Sequence, residues 1–266
     1  MSCILCALLD TLGKKHQLWG EFEEKMKVTQ KVERSLRSID EGTTFRYQNL
    51  GIEPSEYGTA AKAIERLIRK GVLKRASTGV FYKPKQSVFG ELPPREEELL
   101  KPYLFENGKR IAYVTGATLY NRMGLTTQVP KLLKVACREK RITTRIGGLI
   151  VKPVKSYVDV TDNNYPLLEI LDAIKDFKDI SDVDQASALT ILRNKVLGLP
   201  EKEYARLLKY ALRYPPRTRA LLGAMTETKE SDTNLILLHK SLNPLTFYRI
   251  APNFDLLPKA SDWNIR

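Results

Sequence analysis

Residues 57–83, YGTAAKAIERLIRKGVLKRASTGVFYK, carry the pattern that decides the fold. Ala60, Ala63, Ile64, Leu67 and Ile68 recur at helical spacing, so one face of a helix is apolar. Pro54-Ser55 opens this helix, with Ser55 placed to cap it, and Gly71 ends it. Val72–Ala76 and Val80–Lys83 then read as two short strands joined by Ser77-Thr78-Gly79, a hairpin with a glycine in its turn. Upstream, Val28, Val32, Leu36 and Ile39 are spaced four, four and three apart, an amphipathic helix stopped by Asp40-Glu41-Gly42. Thr43–Phe45 fits a short strand and Arg46–Leu50 a brief second helix closed by Gly51. Three helices followed by a two-stranded hairpin is the order of a winged helix-turn-helix.

The remainder predicts a second domain of mixed class. Residues 84–98 contain three prolines and an acidic run, a hinge composition. We therefore divide the chain into a winged helix over 26–86, a linker over 87–99 and a C-terminal domain over 100–266. Residues 1–25 fit neither domain and read as a leader, with Met26 as the natural start. Past the linker, Arg110–Thr115, Leu132–Arg138 and Thr143–Val154 read as strands, the last turning at Gly147-Gly148. Ala117–Met123 reads as a short helix, and Tyr165–Ile180, Gln185–Val196, Glu201–Tyr214 and Arg217–Thr226 as longer ones. The expected class is α+β: a winged helix-turn-helix, then a mixed α/β domain with a small basic sheet and a helical C-terminal half.

Composition narrows the function. At 42% apolar and 28% charged residues, the chain is globular rather than disordered. The apolar run Cys3–Leu9 is too short to cross a bilayer and no basic segment precedes it, so the expected location is the cytoplasm and no membrane partner is expected. Three cysteines, Cys3, Cys6 and Cys137, make no disulfide framework. The net charge is +13 and unevenly spread. Residues 26–85 hold 13 Lys and Arg against 6 Asp and Glu, and residues 101–160 hold 12 against 3. Residues 161–190 reverse the sign, with 2 against 7. Clustered positive charge fits a polyanion, because binding phosphates releases condensed counterions.

In a winged helix the third helix lies in the major groove, where Ser, Thr, Lys and Arg reach base edges or phosphates. The residues assigned to DNA contact on this basis are Ser55, Tyr57, Thr59, Lys62 and Arg66 on and before that helix. Arg46 joins them at the start of the second helix, and Lys74, Arg75, Ser77 and Thr78 form the wing. A second basic surface, for a partner or nucleic acid, comprises Lys131, Lys134, Arg138, Lys140, Arg141, Arg145 and Lys152, with Lys155 beyond it.

No catalytic constellation stands out. There are two histidines, His16 and His239, no phosphate loop of the Gly-x-x-x-x-Gly-Lys-Ser/Thr kind, and no second pair to complete a zinc site with Cys3 and Cys6. Asp172, Asp176 and Asp179, spaced four and three, share one side of a helix and read as a solvated face. We expect no catalytic residues, no metal and no cofactor, and read the chain as a non-enzyme.

AIERLIRKGVLKRASTGVFYKP at 63–84 resembles the N-terminal winged helix of AbiEi-like antitoxins of type IV toxin–antitoxin systems. YVTGATLYNRMGLTTQVP at 113–130, YPPRTRALLGAM at 214–225 and SLNPLTFYRI at 241–250 resemble segments of the same group, so the resemblance spans about 26–266. It implies a winged helix that binds double-stranded DNA at repeats in its own operator and represses the operon. It also implies a C-terminal domain that opposes a cognate nucleotidyltransferase toxin. The alternative is a stand-alone winged-helix regulator whose second domain senses a ligand or mediates assembly.

Overall fold

The computed structural model describes residues 27–88, 90–130, 132–146, 148–180, 182, 184–226, 233–250 and 256–266. The readings made on residues 1–25, including Cys3, Cys6 and His16, and on Lys131 lie outside them. Helices and small sheets are mixed, an α+β architecture, and the chain divides into two compact units between Pro102 and Tyr103.

In the first unit, residues 27–37 form helix α1, burying Val28, Val32 and Leu36. Strand β1 (Thr44–Phe45) and a 3-10 turn (Tyr47–Leu50) follow, the turn ending at Gly51 with φ of 64°. Helix α2 (Tyr57–Arg69) buries Ala60, Ala63 and Ile64. Strands β2 (Lys74–Ser77) and β3 (Val80–Tyr82) complete an antiparallel sheet in the order β1-β3-β2. The core joins α1, α2 and the sheet through Val32, Phe45, Leu50, Ile64, Leu73 and Phe81.

Two expectations change here. Ser55 does not cap α2: it is exposed inside a separate 3-10 turn, Pro54–Glu56, and Glu56 is the capping position. Pro54 fixes a helical φ at the first position and starts the turn early. Leu67, on the same apolar face, is half-buried. The stretch expected as a linker carries a hairpin of β4 (Lys85–Ser87) and β5 (Gly90–Leu92), then helix α3 (Glu96–Leu104). Thr44 fastens α3 to the unit. Its N–H donates to Glu98 Oε1 at 3.1 Å, and its hydroxyl to the Glu98 carbonyl at 2.8 Å.

The second unit opens with a short hairpin, β6 (Phe105–Glu106) and β7 (Lys109–Arg110). Strand β8 (Ala112–Thr115), helix α4 (Ala117–Arg122), β9 (Leu132–Cys137), β10 (Thr144–Ile146) and β11 (Leu149–Lys155) follow. They make a four-stranded sheet in the order β10-β11-β9-β8, with β9 and β11 parallel and the other pairs antiparallel. Helices α5 (Tyr165–Lys175), α6 (Gln185–Leu197), α7 (Glu201–Ala211), α8 (Pro216–Thr226) and α9 (Thr233–Lys240) supply most of the core. Near the end of the chain Tyr248 bridges Ile265, and the Trp263 ring lies on Gly223 of α8. A methyl group at Gly223 would sit within the space the ring occupies. Among the described residues no helix is long and apolar enough to cross a membrane.

Helix α5 overturns a third expectation. Leu167 through Ile174 are buried without interruption, so the helix has no solvent face over that span, as befits a central element. Asp172 is 2% exposed and is not part of a solvated acidic face. Its Oδ2 accepts from the Tyr113 hydroxyl at 2.9 Å and the Thr115 hydroxyl at 2.8 Å, both on β8. Its Oδ1 accepts from Lys175 Nζ at 3.3 Å. The neighbouring Asp176 accepts from the Tyr120 hydroxyl at 2.6 Å. Burial, then the Asp172 charge, push the Tyr113 hydroxyl above the usual phenol range; burial and Asp176 do the same to Tyr120. Both remain protonated donors. Burial acts to lower the Lys175 ammonium, but Asp172 and Asp176 together outweigh it and hold it above the ordinary lysine range. Asp172→Ala takes the buried acceptor from the Tyr113 and Thr115 hydroxyls and leaves Lys175 with Asp176 alone, 3.6 Å away, so it should cost about 3 kcal/mol or more in urea unfolding. An unchanged midpoint would mean the network contributes nothing to stability.

Candidate nucleic-acid interface

With Ala60, Ala63 and Ile64 turned inward, α2 presents Gly58, Lys62, Glu65, Arg66 and Arg69 to solvent, with Thr59 half-buried. The spacing of Thr59, Lys62, Arg66 and Arg69 (three, four, three) puts them on one side of the helix. Lys62 has no hydrogen-bond or ion-pair partner among the described residues. Arg66 Nη2 donates to Thr29 Oγ1 of α1 at 3.3 Å, a bond that orients the guanidinium without neutralising it. Arg69 lies 4.0 Å from Glu65, an exposed pair of little strength. Sequence reasoning passed over Arg69, although it lies three residues beyond Arg66 on the same side.

The β2–β3 turn projects beside this helix in sequence. Gly79 takes a φ of 71°, which a side chain would resist, and Thr78 at its tip is exposed. Arg75 is exposed with its guanidinium 5.7 Å from the centre of the Phe81 ring. Ser77 is half-buried. Lys74 is held by an ion pair with Glu91 of β5. Hydrogen bonding to Glu91 raises the Lys74 ammonium, and the same bond lowers the Glu91 carboxyl.

Tyr57 turns toward the interior more than toward solvent. Its ring lies 5.5 Å from that of Tyr47, which in turn meets Phe81 edge-on at 5.3 Å. Burial raises the Tyr47 hydroxyl above the usual phenol range. Arg46 is half-buried, and its backbone N–H donates to Asn49 Oδ1 at 2.8 Å.

The second basic surface does not stay together. Register places Lys134 of β9 beside Lys152 of β11, and Arg145 of β10 beside Ile150 of β11, all on one sheet face. Arg138 and Lys140 lie past the end of β9 in a shallow cleft with Glu106, Cys137 and Asp159. There Arg138 Nη1 donates to the Tyr157 carbonyl at 2.7 Å and its Nε lies 3.7 Å from Asp159, while Lys140 pairs with Glu106. Arg141 is exposed nearby, and Lys155 belongs to the opposite sheet face. Glu139 and Asp159 are the acids near these cations in sequence, but the acid that pairs with Lys140 is neither of them. Glu106, remote in sequence, is brought in by β6.

Residues 31–151 match a family described as "Family of unknown function (DUF6088)". No curated protein matches the chain. Among solved structures, the RV2827C protein from Mycobacterium tuberculosis is similar at 13% identity, over 84% of this chain and 85% of that one, with a TM-score of 0.45.

The Lys74–Glu91 pair has a direct readout. Glu91→Gln removes the carboxylate that occupies Lys74, so at neutral pH the variant should elute from a heparin column at higher salt than the wild type. Because the Glu91 carboxyl is lowered by the pair, the difference should persist at mildly acidic pH and vanish only once Glu91 itself protonates. Elution at the same salt at neutral pH would show that Lys74 is not restrained by Glu91.

Proposed function

We propose that the chain is a DNA-binding antitoxin and transcriptional autorepressor, with a winged helix-turn-helix over residues 26–86 that reads duplex DNA. The observation that carries the DNA reading is the outward side of α2, where Thr59, Lys62, Arg66 and Arg69 align next in sequence to a hairpin bearing Arg75 and Thr78. In this docking mode the N-terminal half of the third helix enters the major groove and the wing touches the backbone. Gly58 supports the same reading. It lies in the first turn of α2, takes no positive φ, and a Cβ there would meet nothing within 4 Å. Glycine inside a helix costs about 0.5–1 kcal/mol relative to alanine, and nothing among the described residues requires it here. A surface from outside that approaches the helix backbone accounts for it.

The antitoxin half rests on the resemblance of residues 113–130, 214–225 and 241–250 to AbiEi-like antitoxins. Its partner is then a nucleotidyltransferase toxin encoded beside it, and the expected site of action is the cytoplasm.

Lys62→Ala with Arg66→Ala in the full chain should weaken binding to DNA from upstream of its own gene. Each lost phosphate contact should lower the salt slope by about one unit, and each lost base contact should cost about 1–3 kcal/mol and relax sequence preference. A double variant that binds as tightly as wild type removes the groove assignment. Co-expression with the neighbouring nucleotidyltransferase gene should restore growth. No rescue, with upstream DNA binding retained, makes the chain a stand-alone regulator.

A further inference from the structure

The four-stranded sheet of the second unit is covered over only part of one face. On that face Tyr113, Ala136 and Val154 pack into the helical core. Thr115 is buried there through its bond to Asp172. Two residues earlier along β9 and β11, the same face carries Lys134 and Lys152 in direct register, followed by Arg145 on the edge strand β10 and Ile150, which is 40% exposed. All three cations are exposed, and none has an ion-pair or hydrogen-bond partner among the described residues. No strand residue on this face is a carboxylate.

This arrangement carries a cost that the fold itself does not offset. Neighbouring strands lie about 4.8 Å apart, and like charges directly opposite each other destabilise a sheet. Lys134 is also held in place. Its Cβ, Cγ and Cδ lie against Gly116, where a φ of 74° and the absence of a side chain leave room for the lysine stem. The stem is packed and the ammonium is left in solvent. A dense anion in contact with all three cations relieves the repulsion.

We infer that this uncovered end of the sheet binds the phosphate backbone of duplex DNA without regard to sequence. A phosphodiester backbone offers regularly repeated charges to match cations on adjacent strands. Among the described residues, the exposed part of the face carries no aromatic ring on which single-stranded bases could stack, so a duplex fits better than a single strand. The choice of DNA rests on the reading of the N-terminal unit given above.

The test measures binding of the full-length chain to a short random-sequence DNA duplex by fluorescence anisotropy across a salt series. Lys134→Gln/Arg145→Gln/Lys152→Gln should lower the slope of log affinity against log salt by about 2–3 units, and weaken low-salt binding by roughly tenfold per lost contact. The Gln variant adds no charge. Circular dichroism matching the wild type confirms its fold, and the three single Gln variants, each expected to remove about one unit of slope, replace it if it does not fold. An unchanged slope overturns the inference. So does a loss confined to single-stranded RNA or to poly-glutamate, which makes a different polymer the occupant. Lys62→Ala/Arg66→Ala, measured in parallel on upstream DNA, separates the two readings. If that variant binds normally while the Gln variant loses slope, the groove assignment fails and the sheet surface stands.

Discussion

A carboxylate on a helix with no solvent side must be met by whatever packs against that helix, and Asp172 is in that position. Removing an ion of this kind from water costs several kcal/mol after relaxation, so its partners cannot be left to chance. Two of them, Tyr113 and Thr115, come from β8, and a third, Lys175, from the next turn of α5. These bonds set the height and rotation of β8 on the helix. Because β8 is one edge of the sheet, the orientation of β9, β11 and β10 follows from hydrogen-bonded register. The helices therefore cover the sheet where Tyr113 and Ala136 lie and leave the Lys134 end open. A polar contact in the core thus decides which part of the adjoining sheet face is bare, Lys134 being the cross-strand neighbour of Thr115.

The N-terminal unit solves a different problem. It is small, and its interior relies on aromatic contacts among Phe45, Tyr47, Tyr57 and Phe81. Large rings fill such a core with few residues, which frees nearly every polar position of α2 for the surface. The charges that remain are not equally available. Lys74 is engaged by Glu91 and Arg66 is steered by Thr29, whereas Lys62 extends into solvent. Net charge alone therefore overstates how many cations a polyanion would meet.

The elements of the first unit were legible because each is signalled locally. Val28, Val32 and Leu36 mark one period, and Gly51, Gly71 and Gly79 punctuate at positive φ. Ser55 misled because capping preference and the helical start imposed by Pro54 compete within one turn, and Pro54 wins. The acidic residues of α5 misled for a deeper reason. Spacing of four and three shows that Asp172 and Asp176 share a side, but not which medium that side meets. The neighbours settle it: Leu167, Leu168, Ile170, Leu171, Ala173 and Ile174 leave no side for water. Two acids in so apolar a run, Glu169 and Asp172, were themselves a sign of buried polar partners. Pairings such as Lys140 with Glu106 and Lys74 with Glu91 stayed hidden because they form across hairpins that local pattern does not pair.

The indole of Trp263 against Gly223 bears on the order of events during synthesis. Among the described residues, the first unit has its core cluster complete by Phe81, and the residues that pin α3 by Glu98. The helical core of the second unit lacks a wall until Trp263 and Ile265 have been made. At ribosomal rates of about 5–20 residues per second, the interval between the two is on the order of ten seconds. Once Gly223 has been made, for about 2–8 s at the same rates, α8 carries a vacant groove beside it while the nascent chain holds one finished unit and one open one. A slow codon or a stall between Gly223 and Trp263 prolongs exposure of that groove.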